Sequence, residues 1–169
     1  MRTVDGYASA ADLDTFLGRL TEIAEETDTV VQAFDPSLVV SAGHLTTAAD
    51  NAARAFERGE NVAQDRGVEW LLYAAGRRQI DSALQMGVDE GTPAVVIGID
   101  GRRADDPTSA ELDAEAAVAE VVETEESPGD YDPARVREFF DITDTERQAT
   151  EGTVSDIVLE RVALLNVNK

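Results

Sequence analysis

Residues 68–75 read Val-Glu-Trp-Leu-Leu-Tyr-Ala-Ala and are followed at once by Gly76. The run is short and apolar throughout except for Glu69, which predicts a buried strand, and Gly76 supplies its end. Residues 94–99, Ala-Val-Val-Ile-Gly-Ile, predict a second buried strand, set between Thr92-Pro93 and Asp100-Gly101. Between the two, residues 79–86 predict a short helix closed by Gly87. Upstream, residues 41–58 form the clearest helical pattern. Leu45, Ala48, Ala49, Ala52, Ala53 and Phe56 make one apolar stripe, Thr47, Asn51, Arg54 and Arg58 fall on the other side, and Gly59 stands where a glycine cap belongs.

Further out, residues 3–7 and 29–34 predict strands, and residues 10–26 a helix carried by Leu13, Phe16, Leu17, Leu20, Ile23 and Ala24. Asp35-Pro36 opens a short helical turn through Val40. Ser109 is the expected N-cap of a helix reaching about residue 122. Residues 123–133, with Ser127-Pro128-Gly129 at their centre, predict a mobile loop. Short helices follow at 133–140 and 143–148. A final helix at 153–167 starts from the capping-box pair Thr153 and Asp156. The sequence has no internal repeat and no regular βαβ spacing. The expected class is α+β: a mixed or mainly antiparallel sheet covered by helices, in a single domain over residues 1–169.

The 169-residue chain holds 35 acidic residues against 14 lysines and arginines, for a formal net charge of -21. Lys169 is its only lysine, and the acids are scattered through patterned segments rather than gathered in a tail. This is the expected surface of a protein from a halophilic microbe, an archaeon, because molar salt shortens the Debye length to roughly 3 Å and screens self-repulsion. The competing reading is an acidic protein of ordinary cells that binds basic partners. No run near 18 apolar residues and no signal-peptide pattern occurs, so a soluble cytoplasmic protein without membrane contact is expected.

Catalytic chemistry is hard to assemble from these residues. Cysteine is absent, which removes thiolate nucleophiles and thiolate metal ligands. His44 is the sole histidine, and its simplest role is a local hydrogen bond in the first turn of its helix. No glycine-rich stretch has a phosphate-cradling pattern; Gly98-Ile99-Asp100-Gly101 is a turn after a strand. Acidic pairs such as Asp105-Asp106 and Glu125-Glu126 read as solvated charges on so acidic a surface. No catalytic residue, metal, cofactor or small-molecule substrate is expected.

The charge pattern breaks once. Residues 54–78 carry five arginines (Arg54, Arg58, Arg66, Arg77 and Arg78) against four acids, while both flanks are strongly negative. Surface pairing with Glu57, Glu60, Asp65 and Glu69 is one reading. The other is an RNA-facing patch, since a guanidinium grips phosphate with a planar fork and stacks on bases. Phosphate attraction by counterion release fades as salt rises, so a halophilic RNA binder must lean on stacking and directional hydrogen bonds, which favours unpaired nucleotides. The last helix is apolar on more than one stripe, as expected either for burial within the chain or for a side that docks on a partner.

Asp35-Pro36, His44-Leu45 and Asn51-Ala52-Ala53-Arg54-Ala55 resemble the archaeal PRPK-binding (TPRKB-like) subunit of the KEOPS complex. The likeness is strongest at residues 69–80, Glu-Trp-Leu-Leu-Tyr-Ala-Ala-Gly-Arg-Arg-Gln-Ile, followed by Ala83-Leu84 and Met86-Gly87-Val88, and returns at residues 159–165, Leu-Glu-Arg-Val-Ala-Leu-Leu. It covers most of the chain and is weakest over residues 104–132, which hold eleven acids and no base. The resemblance implies a non-catalytic adaptor that contacts the small atypical kinase of KEOPS directly and the other subunits indirectly. It also implies capture of the tRNA 3' CCA tail, in support of threonylcarbamoyladenosine formation by a separate subunit. By motif, Arg77, Arg78, Gln79 and Ile80 would lie at the tail-binding surface. His44, Arg54 and Arg58 join them on the charge argument, and Ile157, Val158, Arg161, Leu164 and Leu165 would meet the kinase. The rival expectations are a purely structural or regulatory kinase partner that never touches RNA, and a small hydrolase or metal-dependent enzyme.

Overall fold

The computed structural model describes residues 1–8, 12–91, 94–124 and 131–165. The chain divides into two compact units, one made of Met1–Pro36 with Gly87–Pro128 and the other of Ser37–Met86 with Gly129–Lys169.

The first unit is built on an antiparallel sheet. Strand β3 (Ala94–Asp100) pairs on one side with β1 (Arg2–Ala8), Ile97 facing Val4, and on the other with β2 (Val30–Phe34), Ile97 facing Ala33. A short β4 (Val122–Thr124) pairs with the free side of β1, giving the order β2-β3-β1-β4. Alternation along the strands puts Val4, Ala33, Val95, Ile97 and Ile99 into one apolar cluster. Helix α1 (Leu13–Thr27) adds Phe16, Leu20 and Ile23, and α5 (Pro107–Ala119) adds Ala114 and Val118, both sets at helical spacing. Each large apolar side chain buried there stabilises the unit by about 1.5–3 kcal/mol. Gly6 is required where β4 closes on β1, since a Cβ would stand 2.2 Å from the Glu123 carbonyl oxygen. The chain order is β-α-β-β-α-β, the split βαβ arrangement, with a helical insertion between β2 and β3.

The expected fold class therefore stands, with the sheet wholly antiparallel. Helix α5 differs at both ends from expectation. Its N-cap is Asp106, which accepts the Ser109 N–H at 3.2 Å, and Pro107 takes the first turn. The helix stops at Ala119 because Val122 is needed in the sheet core, where it is 4% exposed. Of the loop expected at 123–133, Glu123 and Thr124 belong to β4 and Asp132 caps the next helix. Residues 125–130, including Ser127-Pro128-Gly129, lie outside the described residues, as do Ala10, Thr92-Pro93 and Val167, which bounded other expected elements.

The second unit is helical. It contains α2 (Ala42–Arg58), α3 (Arg66–Ala75), α4 (Ile80–Ala83), α6 (Pro133–Phe139), α7 (Asp144–Ala149) and α8 (Val154–Leu164), with 3-10 turns at Pro36–Leu38 and Leu84–Met86 on its sequence borders. Residues 68–75 are thus not a strand but most of α3. Asp65 caps α3 by accepting the Val68 N–H at 3.0 Å. Gly67 and every residue from Glu69 to Ala75 are buried. A helix covered on nearly every side shows no polar stripe, so its sequence looks like a buried strand. The Glu69 carboxylate is buried with it and accepts the backbone N–H groups of Val62 and Ala63, tying down the loop between α2 and α3. The Trp70 indole N–H donates to the Leu45 carbonyl at 3.0 Å and fixes α3 against α2. Helix α8 opens with the capping box foreseen at Thr153 and Asp156.

Candidate nucleic-acid interface

Helix α3 ends in a turn that only glycine makes easily. Gly76 has φ 62°, its N–H bonds back to Tyr73 O, and the Arg77 N–H bonds to Leu72 O at 3.0 Å. This closure turns the chain sharply and puts Arg77, Arg78 and Gln79 on one bend, with Ile80 opening α4. Arg77 is half-buried, with its guanidinium donating to the Phe139 carbonyl oxygen and standing 5.6 Å over the Phe139 ring. Arg78 is exposed and its Nη2 donates to Leu165 O at 3.3 Å. Gln79 is the exposed N-cap of α4, with no side-chain bond to that helix, and Ile80 is 38% exposed. Both arginines are held by carbonyl oxygens. Carbonyls orient a guanidinium without cancelling its charge, which a carboxylate would do.

Beside the bend is a cavity of about 470 Å³ lined by Arg77, Ser82, Gln85, Arg135, Glu138 and Phe139. Arg135 comes from α6, and its Nη1 donates to Ser37 Oγ at 2.6 Å. Cation, amide, hydroxyl, carboxylate and aromatic ring thus share one depression. Sequence reading missed Arg135, Glu138 and Phe139. They follow the bend by some sixty positions, just after the acidic stretch at 104–132, and nothing local in the sequence ties α6 to the end of α3.

The other candidate residues do not join this cluster. His44 is fully buried, correcting its assignment to an RNA surface. Its Nδ1 accepts the Val40 N–H at 3.2 Å and its Nε2 lies 2.7 Å from the Ala74 carbonyl oxygen, so Nε2 carries the proton. Burial lowers its pKa to about 4, against a smaller upward pull from the Ala74 carbonyl. Because His44 touches Ala74 while Trp70 reaches Leu45 and the Arg66 guanidinium covers the Phe56 ring at 4.2 Å, α2 and α3 run antiparallel. Arg54 and Arg58 then sit about 15 and 21 Å farther along α2 from His44, at 1.5 Å per residue. Both are exposed, and Arg54 donates to Asn51 Oδ1 at 2.7 Å. The basic island of the sequence is divided between the two ends of a helical hairpin.

Helix α8 also departs from expectation. Ile157, Val158 and Val162 are buried within the second unit, so the first two are not available to a partner. Arg161 makes two bonds, of 2.7 and 2.6 Å, to the Glu146 carboxylate on α7. Leu164, 40% exposed, and Leu165 remain at the surface end of the helix, and the Leu165 carbonyl is the one that holds Arg78. Among the described residues no group of three or more His, Asp or Glu side chains could hold a metal ion. No described helix is long and apolar enough to cross a membrane.

No curated protein matches the chain. The profile of the family described as kinase binding protein CGI-121 matches residues 11–166. That span takes in both units and nearly all of the sequence, and the chain belongs to the CGI-121 family of kinase-binding proteins.

Proposed function

We propose that this protein is a non-catalytic KEOPS subunit that binds the complex's small atypical kinase and recruits tRNA by its unpaired 3' CCA end, in support of threonylcarbamoyladenosine formation. The observation that carries the RNA half is the bend after α3. In a protein of net charge -21, two adjacent arginines are presented with an amide and an apolar side chain on one turn, each fixed by a carbonyl oxygen. Oriented forks beside an apolar surface suit unpaired nucleotides, where stacking and directed bonds persist as salt rises. The kinase half rests on family membership. The surface end of α8, Leu164 and Leu165, is the part of the expected docking face that is not consumed by packing.

The experiment is a gel shift with intact, CCA-less and arm-shortened tRNA in molar KCl, using the wild-type chain and the Arg77→Glu/Arg78→Glu double variant. The expected outcome is loss of tRNA binding in the variant with kinase binding retained, and a larger loss from trimming the CCA end than from shortening the duplex arm. Unchanged tRNA affinity in the variant would favour the second reading, a structural or regulatory kinase partner without RNA contact. The exposed Leu164 supports that reading equally well.

A further inference from the structure

Helix α7 is fastened to the second unit almost entirely by charge. Between Ile142, 5% exposed, and Ile157, 3% exposed, no residue is buried, and α7 itself buries none of its side chains. Its ties to neighbouring helices are ionic. Arg161 of α8 donates through Nη2 to both oxygens of the Glu146 carboxylate, at 2.7 and 2.6 Å, and Arg137 of α6 donates to Asp144. The bond from Arg147 to the Gly152 carbonyl is internal to the segment. Ion pairs this open to solvent hold a helix weakly, and no apolar burial adds to them.

Both ties run to the frame of the arginine bend. The Phe139 carbonyl, at the end of α6, holds Arg77, and the Leu165 carbonyl, just past α8, holds Arg78. The stem of Arg161 stands against the bend itself, since a Cβ on Gly76 would lie 3.8 Å from Arg161 Cβ. Three arginines therefore start close to Gly76, and the guanidinium of the third is turned onto α7. A carboxylate and a phosphate offer a guanidinium the same pair of oxygens. Glu146 thus satisfies Arg161 in the way an RNA phosphate would. The tie to α6 is the looser one. The Asp144 side chain is 83% exposed, and Arg137 Nε is buried with no acceptor among the described residues.

Building on the RNA-binding reading above, we propose that α7 is an autoinhibitory strap. Its Glu146 carboxylate competes with RNA phosphate for Arg161, and displacing the strap adds a third arginine to the bend. A brace would act in the opposite direction. If α7 served to hold α6 and α8 in place, loosening it would let the Phe139 and Leu165 carbonyls drift and would weaken RNA binding. The sign of the change separates the two.

The test measures binding of intact tRNA to the full chain in molar KCl, for wild type, Glu146→Gln, Arg161→Gln and the double variant. Glu146→Gln should bind about two- to fivefold more tightly, because masking withholds no more than the strength of a half-exposed pair. Arg161→Gln keeps the stem beside Gly76 and should change affinity little, since the guanidinium it removes is already engaged. In the double variant the gain should vanish, which the mutant cycle reads directly. Glu151→Gln makes the same change in net charge at an exposed residue of the same segment and should bind like wild type. Asp144→Asn cuts the other tie and should raise affinity by a smaller factor. Thermal melting checks that the variants fold. Without RNA, the amides of residues 144–149 should exchange hydrogen faster in Glu146→Gln than in wild type. An unchanged or weakened affinity in Glu146→Gln overturns the strap and leaves the RNA interface standing. An equal gain in the Arg161→Gln background, or from Glu151→Gln, assigns the effect to overall charge and overturns it too. A wild-type chain that binds no tRNA removes the interface and the strap together.

Discussion

At the scale of single residues, His44 shows how burial reassigns a side chain. By sequence it was the only imidazole available and stood near an arginine-rich stretch. In the fold it is an internal brace, receiving the Val40 N–H on one nitrogen and bonding Ala74 through the other. Protonation would destroy the first of these bonds, because a charged imidazole has no acceptor. The folded chain therefore resists the proton, and the pKa falls from 6.5 to about 4. Between those values the unfolded state binds more protons than the folded one, so stability is complete above pH 6.5 and declines as pH falls toward 4. From pH 7.5 to 5.0 the loss from this residue should be about 2 kcal/mol. Urea unfolding of wild type and His44→Gln at both pH values isolates it, since the carboxylates titrate alike in the two chains. The wild type should show the steeper decline, and parallel curves would mean His44 is not held neutral.

At the scale of elements, the contrast between residues 68–75 and 94–99 explains what was legible. Both are short apolar runs, and such runs carry no periodicity that separates a strand from a helix buried all round. Composition is the better guide. Val95, Val96 and Ile97 are β-branched and form a strand, whereas Trp70, Leu71, Leu72, Tyr73, Ala74 and Ala75 contain no β-branched residue, and Leu and Ala favour helix. The long amphipathic helix at 41–58 and its glycine cap at Gly59 were readable because one face meets water, as was the capping box at Thr153 and Asp156. Of the candidate site, the bend at 77–80 was readable from local charge and glycine, but the α6 side of the cavity was not, because it is assembled by tertiary packing alone. Two substitutions test this account of α3. Trp70→Ala removes a side chain that is 1% exposed together with its bond to Leu45, and should destabilise the second unit by about 3–5 kcal/mol. Gly76→Ala meets only ordinary contacts, with the nearest atom at 3.8 Å, so its cost should be the left-handed backbone alone, about 1–2 kcal/mol. Denaturant midpoints measure both, and a neutral Gly76→Ala would show that the helix does not end in this turn.

At the scale of the whole molecule, the dominant quantity is the net charge of -21. Repulsion among exposed carboxylates opposes compactness, and its range is the Debye length, about 10 Å at 0.1 M salt and 3 Å at 1 M. Stability should therefore rise with KCl, but hydrophobic burial also responds to salt, so a rise alone does not identify repulsion as the cause. A charge reversal separates the two. Glu25 is exposed near the end of α1, where Glu22 and Asp28 lie three residues to either side and Arg19 is bonded to Glu22 and Glu26 rather than to Glu25. Glu25→Lys replaces like-charge neighbours with attractive ones and places a cation at a helix C-terminus, each effect being worth a few tenths of a kcal/mol and both screened by salt. The variant should be more stable than wild type by about 0.5–1 kcal/mol in 0.1 M KCl. Apolar burial is the same in both chains, so their melting curves should converge as KCl approaches 2 M. A gap that persists undiminished at 2 M would assign the gain to local packing or helix propensity and leave the surface charge without the destabilising role argued for it.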